Sequence, residues 1–88
     1  MGEHPRSVEG FDGSLDDLAR SVGNMTYDQV SSFLEKLAED INNQADADID
    51  RGRKQLALKL YSVSDDIYNA RNKMELAWKI CEPYMKKD

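Results

Sequence analysis

Apolar residues recur along this chain at helical spacing. The series Leu56, Leu60, Val63, Ile67, Ala70, Met74, Ala77, Cys81 advances by alternating steps of four and three over 26 residues, with no glycine or proline among them. That is a heptad pattern, and it predicts a helix over 53–82 with one apolar stripe, broken by Pro83. Upstream, Val30, Phe33, Leu34, Leu37, Ile41, Ala45 and Ile49 form a second stripe. At ~100° per residue the opposite side holds Asp28, Ser32, Glu35, Lys36, Glu39, Asn43 and Asp46, all polar, which predicts a one-sided helix over 27–50. Its start is marked by Thr26, with Gln29 three residues on as a capping box and Met25 with Val30 as a hydrophobic staple. A shorter stripe, Leu15, Leu18, Ala19 and Val22, predicts a helix over 14–22. Ser14 and Asp17 suit its cap, Asp16 and Asp17 its dipole, and Gly23-Asn24 its end.

Residues 1–13, "MGEHPRSVEGFDG", have no periodicity and read as a flexible tail that Phe11 could anchor, leaving 14–88 as one helical domain. The tail has no apolar core of a secretory signal.

Between the two long helices lies "QADADIDRGRK". Three aspartates alternate there, and Arg51, Arg53 and Lys54 surround Gly52. A calcium loop counted from Asp46 would need glycine sixth and glutamate twelfth, but Arg51 and Ala57 stand there. A phosphate grip by Arg51, Arg53 and Lys54 has forked donors, without a Walker or dinucleotide fingerprint and with acids just upstream. A turn fits best. Gly52 ends the second helix in the left-handed conformation, and the basic residues offset Asp48 and Asp50 at the negative end of the dipole.

A turn at 51–52 folds the long helices into an antiparallel hairpin in which facing residue numbers sum to about 103. Leu37 then faces Ile67, Leu34 faces Ala70 and Val30 faces Met74. The third helix overhangs the second, and Leu15, Leu18 and Val22 of the first could fill that corner beside Trp78. The fold class expected is therefore all-α, a hairpin of two long helices plus a short N-terminal helix. Leu58 and Leu76 lie roughly 200° from the main stripe of the third helix, with Ile80 near them and Tyr61 and Tyr68 between. Leu58, Tyr61, Tyr68, Leu76 and Ile80 are thus the expected partner-binding residues. A second copy covering them would complete a four-helix bundle as a homodimer.

Charge and composition narrow the function classes. Residues 25–50 carry seven acids and one base, whereas residues 51–88 carry nine bases and five acids. This favours the two long helices lying side by side. The net charge of −5 argues against a dedicated nucleic-acid binder. No apolar run approaches the ~20 residues of a membrane span. The single cysteine suits a reducing, cytoplasmic setting, and its place on the stripe suits an inert thiol. The only histidine, His4, lies in the tail, so no catalytic triad or metal site is expected, nor any cofactor. The reading is a small, self-associating protein–protein interaction module without catalysis. The alternative is an accessory nucleic-acid or phosphate binder using Arg51, Arg53, Lys54 and the basic third helix.

Overall fold

The structure, a computed structural model, describes residues 4–85 and is all-helical. Helix α1 spans Leu15–Gly23, α2 spans Tyr27–Asp50 and α3 spans Lys54–Met85. A true capping box opens α1. The Asp17 amide donates to Ser14 Oγ and the Ser14 amide to Asp17 Oδ2, both at 3.1 Å. The Ser14 amide first, then the Ser14 hydroxyl, hold the Asp17 carboxyl below its ordinary value. Ahead of α1, Phe11 is half-buried and its amide donates to the Val8 carbonyl at 3.2 Å.

The start of α2 departs from expectation. Thr26 accepts no hydrogen bond through its side chain, so Thr26 and Gln29 form no capping box. Its hydroxyl donates instead to the Asp28 carboxylate, which sits in the first turn. A carboxylate two residues on is the stronger acceptor, and it also suits the positive end of the helix.

The hairpin tip is a Schellman turn. The Gly52 amide donates to the Ile49 carbonyl at 3.0 Å and the Arg53 amide to the Asp48 carbonyl at 2.8 Å. Gly52 carries a φ of 79°, the left-handed conformation that this motif demands. Beneath it, Arg53 Nη1 bonds Asp48 Oδ1 at 3.3 Å, which pairs an otherwise buried carboxylate.

At the other end α3 runs through Pro83 to Met85 instead of stopping there. Pro83 sits in the last turn, where it forgoes the bond to the Lys79 carbonyl and its ring crowds that carbonyl, with few helical residues beyond it to disturb.

The hairpin packs in antiparallel register. Ser31 Oγ donates to the Arg71 carbonyl at 3.4 Å, and Ser64 Oγ donates to the Ala38 carbonyl at 2.9 Å. Both pairs sum to 102, and Ala45 with Ala57 continues the same register. Ala38, Ala45 and Ala57 are wholly buried, with Ser31 and Ser64 nearly so. The seam is therefore a ladder of small residues seven apart on each helix. This corrects the expected seam of Leu37 against Ile67 and Leu34 against Ala70, since Leu37 and Ala70 are exposed, whereas Val30, expected against Met74, is buried. A hydroxyl one carbon from the main chain can bond a neighbouring helix's carbonyl only where the two backbones come close. Leucine or isoleucine in the same place would hold them apart.

The shape follows. The Cα atoms span 53 × 29 × 14 Å with a radius of gyration of 15.9 Å. A compact domain of this length has about 12 Å. The hairpin is one layer of helices. Helix α1 meets only α2 and does not pack on α3, so Leu15, Leu18 and Val22 do not fill the corner beside Trp78 as expected.

A candidate interaction surface

Once the small residues occupy the seam, helical geometry dictates where the large ones go. The stripes Val30, Phe33, Leu34, Leu37, Ile41 and Leu56, Leu60, Val63, Ile67, Met74 both lie on the same side of the seam, because antiparallel partners turn matching flanks to the same side. They make one broad apolar face across the hairpin. Val30 is buried, but the rest of the face is only partly covered by the described residues. Phe33 is 41% exposed, Leu37 38%, Leu56 48% and Val63 39%, although each sits on an apolar stripe. Leu34, Ile41, Leu60, Ile67 and Met74 are only half-buried.

The other side of the seam is polar and internally paired. Arg71 Nη1 approaches Glu35 Oε1 at 3.4 Å, and its guanidinium lies 5.4 Å from the centre of the Tyr68 ring. The Tyr61 hydroxyl donates to the Asp46 carboxylate. That bond, then partial burial, then the charges of Asp46 and Asp50 raise the Tyr61 phenol above its ordinary value.

The five residues expected to bind a partner fall on this second side or on the outer edge of α3. Tyr61 and Tyr68 are half-buried and already engaged with Asp46 and Arg71. Leu58, Leu76 and Ile80 are open, at 55%, 59% and 71% exposure. The structure thus separates the two tyrosines from the three aliphatics. The residues that sequence reasoning missed as surface are Phe33, Leu37, Leu56 and Val63, which it took for core. The signal that could have found them was the small-residue heptad, Ser31, Ala38, Ala45 and Ala57, Ser64.

Of the three basic residues at the tip, Arg53 is bound to Asp48, while Arg51 and Lys54 are exposed. Near the far end, an open cleft of about 470 Å³ lies between residues 23–27 and Cys81 with Tyr84, where the end of α3 passes the start of α2. Trp78 is half-buried and lines a separate groove with Asp28, Ser31 and Glu35. Among the described residues, no group of three or more His, Cys, Asp or Glu side chains could hold a metal ion, and no helix is long and apolar enough to cross a membrane. Comparison with family models, with curated proteins and with solved structures returns no match.

Proposed function

We propose that the protein is a small helical protein–protein interaction module that self-associates through the apolar face of α2 and α3, each hairpin supplying half of a four-helix bundle. The observation that carries this reading is the division of labour across the hairpin. Small residues fill the seam, and large ones stand half-exposed on one side of a layer only 14 Å thick. Domains are built from at least two packed layers around a core. In a four-helix bundle, small residues let neighbouring helices approach while large ones fill the centre. This hairpin has the first feature complete and the second half made.

The areas agree. Two helices side by side, each ~10 Å across and sharing ~35 Å of length, present a face on the order of 700 Å². A stable interface buries about 800 Å² per partner. Helix α1 has nine residues, about 13 Å, and could cover only a part of that length. In this reading the protein acts by presenting a surface and not by catalysis, and its single cysteine suits a reducing, cytoplasmic setting.

Sedimentation across micromolar concentrations tests it. The parent should have twice the mass of the 10.0 kDa chain. Leu37→Glu with Val63→Glu should return the single-chain mass, whereas Leu58→Glu with Leu76→Glu should leave the dimer intact. A parent at single-chain mass throughout, or a dimer lost only in the second pair, would overturn this face as the interface.

A further inference from the structure

The apolar face can meet a copy of itself in two ways that keep all neighbouring helices antiparallel. With the twofold axis parallel to the helices, α2 of one copy lies over α3 of the other and both tips sit at the same end. With the axis across the helices, α2 lies over α2 and α3 over α3, tips at opposite ends. The charges at the rim of the face decide between them. We infer that the second copy docks with α2 over α3 and that Asp40 of each copy pairs with Lys59 of the other. This rests on the self-association proposed above and adds its arrangement.

Heptad spacing places Asp40 on α2 at the outer edge of the face, and Lys59, Asp66 and Lys73 at the outer edge on α3. All four are exposed, and among the described residues none enters an ion pair. Asp40 accepts one hydrogen bond, from Gln44 Nε2 at 2.7 Å, which leaves its other oxygen open.

In the first arrangement the intrachain register carries over to the second copy. Leu37 then meets Val63 and Gln44 meets Leu56. Asp40 and Lys59 lie on the same rim within about one helical turn of each other, and the twofold axis makes the pair twice. In the second arrangement, centring the two stripes for full overlap puts Asp66 against Asp66 and Lys59 against Lys73. Those are like-charge contacts, unfavourable at any interface. Sliding by one heptad relieves them, but leaves the α3 stripe bare from Met74 onward in one direction and the α2 stripe bare from Ile41 onward in the other. At the scale of whole helices the same choice is favoured: α2 has seven acids and one base, and lies better over α3, with five bases and four acids, than over itself.

Disulfide trapping reads the arrangement directly. In a Cys81→Ala background, the chain with Asp40→Cys and Lys59→Cys should form a covalent dimer of twice the 10.0 kDa chain on mild oxidation. The two positions lie on opposite outer edges of one hairpin, so an intrachain bond should not form. A chain with Asp66→Cys alone should stay uncrosslinked. Positions 40, 59 and 66 are exposed, and Cys81→Ala removes only one atom from a half-buried site, so the substitutions leave the hairpin packing intact. Sedimentation of the reduced proteins separates the two levels of failure. A dimer that crosslinks through position 66, or through neither set, or an intrachain 40–59 bond, would overturn the arrangement and leave self-association standing. A reduced protein that is monomeric throughout would overturn both.

Discussion

The Ser64 hydroxyl donates to the backbone carbonyl of Ala38 at 2.9 Å, from the middle of one long helix to the middle of the other. It fixes three things together: the antiparallel register, the closeness of the backbones, and the side of each helix that faces the seam.

Enlarging the seam should therefore cost more than removing its hydrogen bond. Ala38→Leu adds three carbons to a wholly buried site and should destabilise the chain by about 1–3 kcal/mol or more. Ser64→Ala should cost about 0.5–1.5 kcal/mol, the net worth of one such bond. Urea unfolding of the two variants gives the comparison. If Ala38→Leu proved neutral or stabilising, the small-residue seam would be wrong.

At the tip, the cost of a side chain at position 52 is purely conformational. A Cβ built on Gly52 meets nothing within 4 Å, yet φ is +79°. Gly52→Ala should thus destabilise by about 1–2 kcal/mol through the left-handed backbone alone. Gly52→Asn, which tolerates that conformation, should recover part of it. Equal losses for both, or none, would argue against the Schellman turn.

Alkali should loosen the polar flank late. The Tyr61 phenol is raised above the ordinary tyrosine value of 10.0, chiefly by the hydrogen bond to Asp46. The folded value exceeds the unfolded one, so the stabilisation is fully present below pH ~10 and is lost as pH rises through the folded value. An ultraviolet titration should show a late tyrosine step, and Tyr61→Phe should remove it. A Tyr61→Phe variant that leaves the late step in place would place it elsewhere.

Much of the architecture was legible in the chain. Gly52 punctuates two amphipathic runs, and the expected pairing sum of about 103 compares with the 102 of Ser31–Arg71 and Ala38–Ser64. What was not legible is which stripe makes the seam. Apolar periodicity weighs large side chains, so Leu37 and Ile67 stood out while Ser31, Ala38, Ala57 and Ser64 passed as background and Ala45 was read only as one member of the large-residue stripe. Yet the distance of approach between helices is set by the smallest residues that can line a continuous strip. The large stripes are displaced to one flank as a result, and an expected core becomes an expected interface. The capping of α2 was missed for a local reason: Thr26 had a choice of partners, and the Asp28 carboxylate won its hydroxyl.

Whether that flank is an interface is the central question, and isotope-filtered nuclear Overhauser spectroscopy on a mixture of labelled and unlabelled chains answers it at the side chains concerned. Contacts between copies should link the Leu37 methyls to those of Val63. Filtered spectra without those contacts, accompanied by contacts within one chain from Leu15 or Leu18 of α1 to Leu37 and Val63, would contradict the account.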